Sequence, residues 1–470
     1  MNCRTLALLL VVVATPLAAS RAAELRVGAA KVDITNREAG PVNDPLYAKA
    51  LVISDGSTTA VIVTVDAVAI AEIGSIKNEY LANVRAALLK DLGIAPHSVL
   101  INASHCHGIV CGDVEQRTVQ AVKEAWQKMV PVKVGAGTGR EDRVSENRRL
   151  KLKDGTEADV RHAYSLPADQ EVVGVGPIDP EIGILRLDRL DGQTLAVVYN
   201  FACHPIQGVP SGGNTADITG FASQAIEENL GDGAIALFVQ GCGGDINPAG
   251  YKDPDHPRDA EPLGNLLGLS TLRALHAIKT RQEDRFKLIH ETLELPRADI
   301  APRIADLEAE RGRLMASLAG TTLNFKTFLP LLVKYRTAGD FPAGDSHRYL
   351  NEKALGREHL SQLDAVNRRN LEQYLHNIAV MEQLTRTQTN LALLKKHHAG
   401  NLAAGKRTLD VELVGLRVGD FVLTTFPGEL TVRIGLAIKR ASPHENTFVA
   451  GYTNGYIYYA PTSEQLLNVG

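Results

Sequence analysis

Apolar and polar positions along this chain follow two rhythms. Between about Leu25 and Phe201, short β-branched runs alternate with amphipathic stretches. Val61–Val68 (VIVTVDAV) reads as a strand. Ile76–Leu92 places apolar residues at helical spacing and stops before Gly93. Ser98–Ala103 (SVLINA) is the next predicted strand, and Thr118–Val130 the next helix. This strand–helix–strand repetition predicts an α/β fold with a layered mixed-sheet core and flanking helices. Leu195–Phe201 and Ala234–Val239 read as two further buried strands, with a helix at about Gly220–Leu230. Glu141–Gly174 is polar and irregular and reads as loop. From Arg303 to Lys396 the rhythm changes. Leu and Ala recur at i, i+3, i+4, with breaks near Pro330 and at Asp340–Asp345. This predicts a helical insertion over about 300–398. Strands resume at Leu409–Val418 and Phe421–Thr425, followed by a helix at about Thr431–Ala441.

The first residues stand apart. Arg4 precedes an apolar run, Leu6–Ala14, and small residues follow at Ala18, Ala19, Ser20 and Ala22. That is the layout of an export signal, read here as residues 1–23, with 24–470 as the mature, periplasmic or secreted domain. The run is too short to span a bilayer, and no later stretch reaches the ~18 apolar residues a transmembrane helix needs. Length allows about three domains or one large α/β unit with an insertion. The chain stops at Gly470 with no obvious terminal cap, as a piece of a longer protein would. Fifty Lys+Arg against 54 Asp+Glu leave a net charge of −4 and no basic stripe, which argues against a nucleic-acid partner. Four cysteines remain beyond the signal: Cys106, Cys111, Cys203 and Cys242. They are too sparse for a disulfide scaffold. Bridges and buried thiols are both open.

Five polar segments each sit at or just past the end of an apolar run. They are NASHCHG (Asn102–Gly108), NFACHP (Asn200–Pro205), GCGGDINP (Gly241–Pro248), FPGEL (Phe426–Leu430) and GYTNGYIYY (Gly451–Tyr459). Ligands in open α/β sheets bind at the carboxyl ends of strands, so the layout predicts one shared site. His105 and His107 stand at i and i+2, on one face of an extended segment. His204 is held extended by Pro205. Taken singly, each has an ordinary explanation. Glu429 suits a helix start, Asp245 a turn, and the Tyr456, Tyr458 and Tyr459 cluster core packing. Taken together, histidines plus a carboxylate are the donor set of a catalytic zinc, which lowers the pKa of a bound water to about 7.

These segments give the chain a resemblance to the neutral/alkaline non-lysosomal ceramidases. The likeness runs from about Gly28 (GAAKVDIT) through NDPLYAKALVI (Asn43–Ile53), Ser104–His107, Asn147-Arg148, Ala202–Pro205, Gly244–Pro248 and Pro427–Leu430 to Asn454–Thr462. No single motif is decisive; their order carries the resemblance. It implies a zinc ion on His105, His204, Glu429 and Tyr459. It also implies that His107 assists the chemistry beside the metal and that Arg148 lies near the substrate carbonyl. The implied activity is cleavage of an N-acyl bond by a zinc-activated water, with His107 or Asp245 moving the proton.

The chain departs from the family in four places. Asn247 stands where the ceramidases carry a serine needed for activity, so it offers no nucleophilic oxygen but can donate to an oxyanion. Gly108-Ile109-Val110 replaces the family's Ser-Gly-Pro. The helical stretch has no aligned counterpart, and neither does the family's C-terminal immunoglobulin-like domain. These departures leave three readings open: a ceramidase-like amidase acting on a lipid or small molecule, the same metal site on an ester, another amide or a glycan-derived substrate, and an exported zinc-binding protein without turnover.

Overall fold

The computed structural model describes residues 24–467 apart from 161–166, 168, 252, 254, 256–257 and 339. Residues 1–23, read as the export signal, lie outside the described residues.

Strands β1 (Arg26–Asp33), β2 (Tyr47–Ser54) and β3 (Thr59–Val65) form an antiparallel meander. After helix α1 (Tyr80–Leu92), β4 (Val99–Ala103) joins β3 in parallel. Gly93 ends α1 in a left-handed conformation at φ 69°, which glycine adopts without steric penalty. Helix α2 (Val114–Gln127) leads into β5 (Val130–Arg140), β6 (Glu181–Arg189) and β7 (Thr194–Phe201). After α3 (Asp217–Leu230), β8 (Ile235–Gln240) joins β7 in parallel, and α4 (Ala260–Ala277) follows.

These eight strands make one sheet in the order β8-β7-β6-β5-β1-β2-β3-β4. At its middle, β1 and β5 share only the pairs Arg26↔Pro131 and Val27↔Val130. The sheet folds at this seam into two four-stranded halves. Ala48, Ala50, Val52, Val61 and Val63 pack outward on Val84, Leu88, Ala121 and Ala125 of α1 and α2. Leu51, Ile53 and Ile62, at alternate positions, face Leu185, Leu187, Val198 and Leu237 of the other half. That half turns Ile184, Val197, Tyr199 and Phe238 toward Ala222, Ile226, Leu267 and Leu275 of α3 and α4. The result is a helix–sheet–sheet–helix stack. Each sheet half is covered on both faces, which is why its strands read as near-continuous apolar runs.

A separate four-stranded sheet closes the stack. Strand β9 (Phe286–Pro296) precedes helices α5 (Ala301–Ser317), α6 (Phe325–Thr337), α7 (Ser346–Ala354) and α8 (His359–Ala403). The chain returns along β10 (Thr408–Val418) and β11 (Phe421–Thr425), then through α9 (Val432–Ala441) to β12 (Asn446–Ala450). Leu416, Val418, Phe421 and Phe448 join the core between the sheet halves. The predicted α/β class, mixed sheets and helical stretch are all present.

Two local expectations differ from the structure. Pro330 does not break its helix; it lies inside α6. Its missing N–H costs one backbone bond. The Asn324 capping box and the packing of Phe328 and Tyr335 near Leu371 hold the helix together. The expected break at Asp340–Asp345 is present, and further breaks fall at 318–324 and 355–358. The 141–174 stretch is not simply loop. It contains short strands at Ser145–Asn147, Arg149–Leu152, Glu157–Asp159 and Val172–Val175, too brief for their alternation to register as strand. The four cysteines are free thiols, three of them buried.

Candidate metal centre

The five polar segments follow β4, β7, β8, β11 and β12, and the fold gathers their ends. Asparagines do much of the stitching. Asn102, just before the end of β4, donates to Gly451 O at 2.7 Å and accepts from Gln240 N at 2.9 Å. Asn200, at the same place in β7, donates to Val239 O at 2.9 Å and Val449 O at 3.0 Å. Gly244 passes so close to the Glu429 segment that a Cβ there would stand 2.6 Å from Glu429 O, so no other residue fits. Glu429 begins a two-residue strand paired in parallel with Tyr459–Ala460.

His105, His204 and Glu429 converge. Their ligand atoms lie within 4.8 Å of one another, and the residues are 2%, 3% and 1% exposed. His105 Nδ1 is 2.5 Å from Val68 O, and His204 Nδ1 is 2.9 Å from Ile246 O. A carbonyl oxygen only accepts, so each ring keeps its proton on Nδ1. Each turns its Nε2 toward Glu429 Oε2, at 3.1 Å from His204 and 3.7 Å from His105. A second hydrogen bond from the far nitrogen is the usual way a protein orients a metal-binding imidazole. Burial pushes His105 down to about 3, so its ring is neutral, the form that ligates. Burial alone would raise the Glu429 carboxyl, but His105, His204 and the Tyr456 hydroxyl hold it well below the usual carboxylate range.

Two phenols complete the cradle. Tyr452 donates to Glu429 Oε2 at 3.1 Å, and Tyr456 donates to Oε1. Burial keeps the Tyr452 phenol protonated, well above its ordinary value. Sequence reasoning passed over Tyr452 and assigned Tyr456 to core packing. The available signal was that a buried tyrosine needs a partner for its hydroxyl. His105, Tyr452, Asn454 and Tyr458 all have positive φ, at 69°, 53°, 60° and 64°. Such conformations are costly for these side chains and cluster where a site demands a direction.

The other expected residues lie around this cluster. His107 is exposed, its ring 5.7 Å from that of His105. Arg148 is buried. It donates to Gly244 O at 2.6 Å, to Asp159 at 3.0 Å and toward Asn247 Oδ1 at 3.5 Å. Its guanidinium stands 5.4 Å from the Tyr459 ring. Burial opposes its charge, but Asp159 and Tyr459 outweigh that and keep it protonated. Asp245 is turned to structure: one oxygen accepts the Val432 N–H at 2.8 Å, at the start of α9, and the other faces Asn147 at 3.4 Å and Arg149 at 3.7 Å.

No family model matches the chain, and no curated protein matches it. Solved ceramidase structures are similar. The neutral ceramidase from Pseudomonas aeruginosa superposes with a TM-score of 0.56 at 16% identity, covering 94% of this chain and 69% of that one. A ceramidase complexed with C2 gives 0.57 at 16%, covering 94% and 70%. At that identity the likeness is one of fold: this chain has a ceramidase-like fold with a buried His-His-Glu cluster able to hold a metal. Among the described residues, no helix is long and apolar enough to cross a membrane.

Proposed function

We propose that the protein is an exported zinc-dependent hydrolase that cleaves an amide (N-acyl) bond, with residues 24–470 forming one catalytic unit that carries the helical insertion. The observation that carries this reading is the meeting of two imidazole nitrogens and a carboxylate at one buried point. Imidazole and carboxylate donors suit zinc better than magnesium or calcium. The ceramidase-like fold favours an amide as the bond cleaved.

Zinc bound there supplies Lewis-acid polarisation and a water acidified toward neutral pH. His105, His204 and Glu429 are its proposed ligands, with Tyr459, across the strand pair from Glu429, as the fourth. Tyr452 and Tyr456 fix the Glu429 carboxylate. His107, on the exposed side, accepts a proton at an imidazole nitrogen and returns it to the leaving amine. Arg148 keeps a buried positive charge for the developing oxyanion. Asn247 cannot form an acyl-enzyme, so the reading is direct attack by water. Asp245 is read as a positioning residue, because Val432, Asn147 and Arg149 occupy its oxygens. Asn247 also favours a second reading, in which the same site serves a non-ceramide amide or ester.

Zinc content and hydrolysis of a fluorogenic N-acyl sphingosine, on wild type and His204→Ala, test the proposal. About one zinc per chain and turnover are expected in the wild type, with both lost in the variant. Zinc without turnover rejects ceramide and leaves the second reading. A wild type that takes up no zinc sinks the site.

A further inference from the structure

Helix α8, from the insertion between β9 and β10, reaches the tyrosines beside the metal centre. Lys396 donates to the Tyr458 hydroxyl at 2.8 Å, and the His397 ring stands edge-on to the Tyr458 ring at 4.3 Å and 89°. Tyr458 lies 5.0 Å, ring to ring, from Tyr456, whose hydroxyl bonds Glu429. Two aromatic rings thus separate the tip of Lys396 from the proposed ligand carboxylate. Lys396 is exposed, His397 and Tyr458 are half-buried, and His107 is exposed on the same cluster.

The charge balance here is unusual. Lys395, one position earlier, is paired with Glu308 at 2.5 Å. Lys396 forms no ion pair among the described residues, and its ammonium donates to the Tyr458 hydroxyl. Glu72 is the acid whose charge reaches Lys396 and His397, and it is already hydrogen-bonded to Asn78 at 2.9 Å. An ammonium with one hydrogen-bond acceptor keeps further N–H donors for a ligand.

We propose that Lys396, supported by His397, is a specificity-determining residue at the entrance to the metal centre and selects substrates that carry an anionic group, such as a carboxylate, beside the scissile bond. This rests on the hydrolase reading above and deepens it. The insertion's contribution is a cation at the mouth. Tyr458, strained at φ 64°, is the post that holds the cation there.

The test is calorimetric binding of N-octanoylglycine and of its methyl ester to the zinc-loaded protein, as wild type, Lys396→Ala and Lys396→Arg. The two ligands differ in one charge. The acid is expected to bind more tightly than the ester. The ratio of the two affinities should fall about tenfold in Lys396→Ala and be kept in Lys396→Arg, with His397→Ala lowering it less. Preference for the acid that survives in Lys396→Ala belongs to the metal or Arg148 and overturns the proposal. So does a zinc-loaded wild type that binds neither ligand. A wild type that takes up no zinc defeats the hydrolase reading and this proposal together, whereas zinc uptake with an unchanged ratio defeats this proposal alone.

Discussion

Glu429 and Asp66 are both buried carboxylates near the ends of apolar strands, and their pKa values are moved in opposite directions. Glu429 accepts from two phenols and faces two imidazoles, and it stays ionised well below the ordinary range. Asp66, just past β3, accepts the Tyr47 N–H at 2.9 Å. Burial raises it to about 6. The Lys49 ammonium pulls the other way but is already committed to Glu227 at 2.9 Å and Ala236 O at 2.8 Å, and the charge of Asp44 adds to the rise. Burial is common to both, so it does not decide the charge. The number and polarity of the groups turned toward the carboxylate do. One corner of the molecule is able to hold a cation, and the other keeps its proton to a higher pH than an ordinary carboxyl does.

The strongest way to break this contrast is to remove the cation site. His204→Ala and Glu429→Gln should each weaken zinc binding by more than about a hundredfold, measured by competition with a chelating dye. Retention of zinc by Glu429→Gln would show that the carboxylate is not a ligand. The next largest effect is expected at Asp66. Its pKa is raised on folding from 3.8 to about 6, so its stabilising contribution is complete below about pH 3.8 and is lost as pH rises through 6. Two pKa units correspond to about 3 kcal/mol. Asp66→Asn should therefore gain stability over the wild type between pH 4 and pH 8, read from urea unfolding at each pH. A difference that stays flat across that range removes Asp66 from the comparison.

Smaller effects sharpen the picture. Tyr456→Phe takes one donor from Glu429 and should cost about ten- to a hundredfold in zinc affinity while the fold persists by circular dichroism. Asp245→Ala leaves the Val432 N–H without its acceptor. It should cost about 1–2 kcal/mol of stability and leave zinc content intact. Loss of zinc in that variant would return Asp245 to the site.

Much of the site was legible in the chain because its parts are local. His105, His204 and Glu429 each follow an apolar strand, and the strand-end rule brings such loops together. The tyrosines were not legible in the same way. Nothing in GYTNGYIYY separates a ring that fills space from one that bonds a carboxylate, since both need an apolar setting. Asn102 and Asn200 escaped notice for a similar reason: their bonds go to loops more than 200 residues away in one case and to two separate strands in the other. The Lys396 contact with Tyr458 spans two units that read as unrelated, a helical stretch and a strand-end loop.

The sequence by itself determined the α/β class, the helical stretch, the five loops and the donor types, because each depends on periodicity or on the chemistry of a few adjacent residues. Tertiary structure alone decided that the sheet folds at β1 and β5 and stacks on itself. It also decided that Asp245 braces a helix, that Tyr452 and Tyr456 serve Glu429, and that α8 reaches Tyr458. These outcomes depend on which surfaces meet, and a hydrogen-bond donor or a charge has no assigned role until the fold supplies its neighbour.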